Sequence, residues 1–236
     1  MRSRVRKTWE LLVKGIRKPQ ETLPYIRCRY IEKRVPFTFE NVVCDWGAEG
    51  AGLPQFSARL YAEVLLLNKA IANYHAERSL EIGCGYGRLT PWIADHSSEH
   101  HAIEPESVLL AQAMKLHPSI RFHKVRAQEL PFPNGYFDLC VSWTVLQHVY
   151  PKQLSKAVSE IKRVCGPRAI IILAEGVGQK ESDKGYWERS LEEWRSLFLP
   201  WKLNWFSERK IEATFPSSAG LVMRFERTEV NPKKQA

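Results

Sequence analysis

Between residues 78 and 175, short apolar strand-like runs alternate with amphipathic helix-like runs, and no other feature of the chain limits its fold so tightly. Strand signals fall at 79–83 (SLEIG), 100–104 (HHAIE), 121–126 (RFHKVR), 137–143 (FDLCVSW) and 168–175 (RAIIILAE). Helix signals fall at 87–95, 106–116 and 151–164. In the last of these, Leu154, Ala157, Val158, Ile161 and Val164 recur at three- and four-residue steps, the period of one helix face. Strands as continuously apolar as 137–143 and 168–175 need cover on both sides. Helices between parallel strands supply that cover, because each crossover lays its helix on the sheet. The expected fold class is therefore α/β. It is a doubly wound, mostly parallel seven-stranded sheet, with 202–215 and 220–228 as a closing antiparallel pair.

Upstream of this pattern the signals change. A helix is expected from about Ser57 to Tyr74, with Leu60, Tyr61, Val64, Leu65, Leu67 and Ile71 forming a broad apolar face. Residues 19–57 carry Pro19, Pro24, Pro36 and Pro54 and the loop WGAEGAGLP (46–54), and read as irregular. Residues 1–18 place Val5, Trp9, Leu12, Val13 and Ile16 at helical spacing among basic residues, an amphipathic basic helix. The chain thus divides into an N-terminal basic helix and cap or lid segment, 1–75, and an α/β domain, 76–230.

The formal net charge is +9, much of it at the two ends. Such a balance attracts RNA, an anionic lipid surface or an acidic substrate, and equally describes a solvated basic face. No separate RNA-binding motif accompanies it, so nucleic acid is not the favoured partner. Weak association of the basic helix with a membrane surface stays open. Cys28, Cys44, Cys84, Cys140 and Cys165 are scattered, with no CxxC pair and no Cys/His cluster at zinc spacing. Reduced thiols in a cytoplasmic setting and no structural metal are the expectation. No apolar run reaches transmembrane length. The pattern leaves oligomeric state open.

The segment SLEIGCGYGRL (79–89) sets Gly83, Gly85 and Gly87 at alternate positions where the first strand ends and a helix begins. Glycine there lets the backbone turn through positive φ and come close to a ligand with its N–H groups bare. A tight turn alone would also account for it. Glu104, 21 residues after Gly83 at the end of the second strand, adds a carboxylate beside the same crevice. A carboxylate in that place can accept hydrogen bonds from two ribose hydroxyls. This pairing alone leaves a dinucleotide and other adenosine ligands open.

LEIGCGYGRLT resembles the first motif of class I, Rossmann-like S-adenosylmethionine-dependent methyltransferases, which carry E/D-x-G-x-G-x-G. AIEPE (102–106) resembles their second motif. AQELPFPNGYFDLCVSWTVLQHV (127–149) is similar to the stretch over their third and fourth strands, and EIKRVCGPRAIIILAE (160–175) to the helix and strand that follow. The likeness covers roughly 76–228 and implies S-adenosyl-L-methionine as cofactor. It implies that Glu81 orients the loop, that Gly83 and Gly85 pass beneath the methionine part, with Gly87 in the same cofactor-binding loop, and that Glu104 holds the ribose. By the same likeness Ala127 and Gln128 border the adenine, and Ser142 and Trp143 lie beside the sulfonium. Many relatives have Asp where this chain has Arg126.

The resemblance implies a transferase that methylates a small-molecule acceptor. Alternatives are an RNA- or protein-directed methyltransferase using the basic arm, or a non-catalytic partner subunit that binds the same ligand. The glycine spacing disfavours a nicotinamide dehydrogenase. No N-P-P-Y-like tetrapeptide follows the fourth strand, which reads VSWT. His148, after that strand, is the candidate base, with a purely structural role as the alternative. Trp46, Arg59, Tyr61, Tyr186 and Trp187 are expected to line the acceptor pocket, where an arginine suits an anionic acceptor.

Overall fold

The computed structural model describes residues 53–178, 181–182, 185–209 and 220–227. The basic helix, Trp46 and the ends of the chain lie outside them. In chain order the elements are α1 (Leu53–Ile71), β1 (Ala76–Ile82), α2 (Thr90–Ala94), β2 (Ser97–Ile103), α3 (Ser107–Leu116), β3 (Arg121–His123) and β4 (Phe137–Trp143). A 3-10 turn (Leu146–His148), α4 (Pro151–Val164), β5 (Cys165–Gly176), the two-residue strands β6 (Glu181–Ser182) and β7 (Tyr186–Trp187), α5 (Leu191–Leu197), β8 (Lys202–Arg209) and β9 (Gly220–Glu226) complete it.

One seven-stranded sheet has the order β3-β2-β1-β4-β5-β9-β8. Strands β1 to β5 pair in parallel, and β9 runs antiparallel between β5 and β8. The α/β expectation holds, including the closing antiparallel strand. From β1 the chain winds outward through β2 and β3, then returns to the other side of β1 with β4. That reversal opens a crevice beyond the carboxyl ends of β1 and β4, the place where open α/β sheets take ligands.

The period of two along the strands sorts the core onto two faces. Leu80, Ile82, Cys140, Ile171, Leu173, Met223 and Phe225 face α4 and α5, where Leu154, Ala157, Val158, Ile161, Trp194 and Phe198 meet them. Leu139, Val141, Trp143, Ile170, Ile172, Ala174 and Val222 face α1 and α2, meeting Val64, Leu67, Ala70, Ile71 and Ile93. Ile171, Ile172 and Leu173 are wholly buried, which explains an apolar run without alternation. Each such side chain contributes about 1.5–3 kcal/mol through burial.

Several boundaries differ from the sequence pattern. Helix α1 starts earlier, at Leu53, and stops at Ile71, where Ala72 turns through φ 53°. The Arg224 guanidinium donates to the carbonyls of Ala70 (2.9 Å) and Ile71 (3.1 Å), satisfying the helix end from β9. Strand β3 ends at His123, since the Val125 N–H turns back to the His123 carbonyl. Helix α2 begins only at Thr90, because the glycine bend takes up 83–87. Helix α5 and the β6–β7 hairpin lay in a stretch that the pattern left unassigned. A Ser190–Glu193 capping box starts α5. Among the described residues no helix is long and apolar enough to cross a membrane.

Candidate active site

The bend after β1 is built from backbone. Gly83, Gly85 and Gly87 have φ of 68°, 59° and 87°, the left-handed region that side chains disfavour. Two of them are also forced by packing. A Cβ on Gly83 would stand 2.6 Å from Val145 Cγ2, and one on Gly87 2.7 Å from His117 Cδ2. Beneath the bend, Glu81 is buried and accepts a 2.6 Å hydrogen bond from the Thr90 hydroxyl, with His100 Nε2 3.6 Å away. Glu81 thus ties the strand end to the start of α2.

Glu104 closes the crevice from β2. Its Oε2 accepts from the Gly85 N–H at 2.9 Å and its Oε1 from the Glu106 N–H at 2.9 Å. Burial raises this carboxyl to about 7 against the pull of both hydrogen bonds. It is therefore held rigidly against the bend. Ala127, buried, and Gln128, which donates to Gln153 Oε1 at 3.4 Å, follow on the neighbouring loop.

The other half of the carboxyl edge is made of side chains. Glu175, near the end of β5, is wholly buried and accepts from the Ser142 hydroxyl (2.9 Å) and the N–H groups of Val145 (3.3 Å), Leu146 (3.1 Å) and Gln147 (3.0 Å). Burial lifts it, too, to about 7. Those bonds fix the 3-10 turn after β4, which the chain enters through Thr144 at φ 58°, a strained value for a β-branched residue. The turn presents His148. Nδ1 lies 2.8 Å from the Gly185 carbonyl, which can only accept, so Nδ1 carries the proton. Nε2 then accepts from the Gln147 side-chain amide at 3.1 Å, while the Gln147 carbonyl accepts from the Gly176 N–H at 2.6 Å. Desolvation lowers the imidazole to about 4, with the Gly185 bond opposing and the Arg209 charge assisting. His148 is neutral near pH 7 and has its acceptor nitrogen on the Gln147 side.

Of the expected site residues, the structure brings Glu81, Gly83, Gly85, Gly87, Glu104, Ser142, Trp143, His148 and Tyr186 to one edge of the sheet. Ser142 and Trp143 sit there with their side chains engaged inside the protein: Ser142 on Glu175, and the Trp143 indole N–H on Glu63 of α1 at 3.1 Å. Tyr186 stacks obliquely 5.5 Å from His148, whereas Trp187 packs on Tyr150 at 5.1 Å. Tyr61 is 67% exposed, off the inward stripe of α1, and the structure does not bring it to the site. Arg59 lies on α1, its side chain outside the described residues, as is Trp46 altogether.

Sequence reasoning passed over Glu63, Gln147, Glu175 and Arg209. Glu63 and Glu175 did leave a signal. Each is an acid inside an apolar pattern, between Leu60 and Leu67 on α1 and at the end of AIIILAE. Glu63 is wholly buried and pairs with the guanidinium groups of Arg88 and Arg209.

A reversal of strand order, a three-glycine bend on β1 and an acid ending β2 make this a Rossmann-like carboxyl edge, similar to that of class I S-adenosylmethionine-dependent methyltransferases. Residues 80–173 match the family model described as a methyltransferase domain. Ajmaline N-methyltransferase of Rauvolfia serpentina is 32% identical over 105 residues, 42% of this chain and 35% of that protein. The chain spans between about a third and a half of the length of the curated relatives it matches first. A Leishmania major SAM-dependent methyltransferase of the DUF858 family superposes with a TM-score of 0.68 at 15% identity, covering 92% of this chain and 89% of that one. The Burkholderia thailandensis 1,6-didemethyltoxoflavin-N1-methyltransferase, solved with S-adenosylhomocysteine, gives 0.65 at 15% identity, covering 91% and 92%. At these identities the structures show a shared fold.

Proposed function

We propose that this protein is an S-adenosylmethionine-dependent methyltransferase acting on a small-molecule acceptor by in-line displacement. The observation that carries the reading is Glu104. Its carboxylate is clamped between the Gly85 and Glu106 N–H groups at the switch point, where it can still receive two ribose hydroxyls through remaining lone pairs. The side-chain-free bend beside it fits the methionine part. When bound, the cofactor supplies an electrophilic methyl group on sulfur.

The chain's own residues then have three tasks. The bend and Glu104 hold the donor. The Glu175-fixed turn sets the wall opposite the bend, so that an acceptor atom meets the methyl carbon in line, and water is excluded. His148 receives the proton when the acceptor is a hydroxyl or a protonated amine, through Nε2 once the Gln147 amide gives way to the acceptor. Tyr186 joins this wall. Trp46 and Arg59 are proposed as its remaining parts on the cap segment 1–75, which precedes the methyltransferase domain.

Relatives named as an ajmaline N-methyltransferase and a malonyl-[acyl-carrier protein] O-methyltransferase support transfer to small or carried acceptors. Free thiols at Cys84, Cys140 and Cys165 support a reducing, cytoplasmic setting. Calorimetric titration with S-adenosylmethionine, S-adenosylhomocysteine and NAD tests the cofactor. Micromolar binding of the first two and none of NAD is expected; binding of NAD alone overturns the reading. Incubation of cell extract with labelled methyl donor, sorted by size, tests the acceptor class; label confined to RNA or protein contradicts it.

A further inference from the structure

Arg209 ends β8 at the carboxyl edge, in register with Gly220, which is in register with Gly176. Its side chain is only 7% exposed, yet Nε and Nη1 have no hydrogen-bond partner among the described residues. Arginine stays charged in such a place, and a buried donor left unmatched is rare in folded proteins. The surroundings look shaped to receive it. A Cβ on Gly220 would stand 2.8 Å from Arg209 Nε and 3.0 Å from Nη2, so the guanidinium lies across a bare backbone position. At Gly176 the Tyr186 hydroxyl occupies the space in the same way, 2.0 Å from where a Cβ would be.

Charge sharpens the point. Arg209 Nη1 is 3.5 Å from Glu63 Oε1, beyond hydrogen-bond geometry, and Arg88 takes the other oxygen of the same carboxylate. Among the described residues Glu175 is the other acid whose field reaches Arg209, and its oxygens already serve four donors. Two guanidinium groups thus share one carboxylate beside His148. We propose that Arg209 anchors an oxyanion of the acceptor, a carboxylate or a phosphate ester, so that the substrate is a small acid methylated at a second group or at the acid itself.

This rests on the methyltransferase reading of the site. It assigns the anion to the acceptor because Arg209 is in register through Gly220 with Gly176, over which the Tyr186 hydroxyl lies, and Tyr186 packs on His148, the residue proposed to take the acceptor's proton. The glycine bend, and with it the cofactor's own carboxylate, belongs to β1.

The test uses the full chain with and without saturating S-adenosylhomocysteine, titrated with benzoate and with phenyl phosphate by calorimetry. At least one of the two is expected to bind wild type, and the stronger identifies the oxyanion. Arg209→Met and Gly220→Ala should each weaken that binding at least tenfold, and Arg209→Lys should weaken it less than Arg209→Met. All three should hold S-adenosylhomocysteine within threefold of wild type, with thermal melting to verify folding. Binding of neither anion to wild type overturns the proposal, as does equal binding to folded Arg209→Met or Arg209→Lys. Loss of S-adenosylhomocysteine in Arg209→Lys also overturns it, since the arginine would then hold the cofactor. Wild type that binds no S-adenosylhomocysteine would sink the methyltransferase reading, while the anion titration without it still decides the role of Arg209.

Discussion

The two halves of the carboxyl edge are built from different materials. On β1 and β2 the site is backbone: three glycines at positive φ and one carboxylate held by two N–H groups. On β4, β5 and β8 it is side chain: Glu175, Gln147, His148, Tyr186 and Arg209, with Glu63 reaching in from α1. A backbone cradle suits a ligand that never changes. Side chains from distant segments can be exchanged one at a time, which suits the half that must recognise a particular acceptor.

If that contrast is right, the largest effect comes from removing the carboxylate of the backbone half. Glu104→Ala forfeits two hydrogen bonds to a charged group, each worth about 1.5–3 kcal/mol, so S-adenosylhomocysteine affinity should fall on the order of a thousandfold by calorimetry. A loss under tenfold would break the comparison at its firmest point. Glu175→Ala should act mainly on the fold of the other half. It orphans four donors, and urea unfolding should show a loss of about 3–5 kcal/mol, with turnover reduced more than cofactor affinity.

Gly83→Ala tests whether the bend is required by packing as well as by a ligand. With φ at 68° and Val145 2.6 Å from the new Cβ, about 1–3 kcal/mol of stability should be lost. Adding Val145→Ala should recover only the contact part, because the backbone strain remains; full recovery in urea melts would assign the glycine to packing alone. The pH dependence of binding follows from Glu104. Its folded value is raised, so the ionised form that accepts ribose hydroxyls dominates only above about 7. S-adenosylhomocysteine affinity should be flat above that and fall up to about tenfold per pH unit below it. Glu104→Gln should abolish the slope. Tyr61→Ala, on an exposed side chain, should change stability by less than about 0.5 kcal/mol and leave binding alone.

The same contrast explains what the sequence disclosed. Gly83, Gly85, Gly87 and Glu104 fall in order within 22 residues, and their roles follow from residue type, so the backbone half could be read directly. The strand–helix period gave the sheet for a similar reason, since buried faces repeat locally. Glu63, Glu175 and Arg209 lie on α1, β5 and β8, up to 146 residues apart (209 − 63), and meet only after the sheet has formed. No short-range pattern links them. Their one local trace is an acid where apolar residues surround it. Tyr61 is exposed although an aromatic side chain in an apolar run reads as inward, because the inward stripe of α1 runs through Glu63 and Leu67.

The central claim, that the bare bend after β1 and the Glu104 carboxylate together hold the donor, is tested most directly by a crystal structure with S-adenosylhomocysteine. The account predicts both ribose hydroxyls on Glu104, the homocysteine over Gly83–Gly85, and the sulfur facing His148 across the edge. An adenosyl group lodged elsewhere, with Glu104 still bonded only to Gly85 and Glu106, would contradict it.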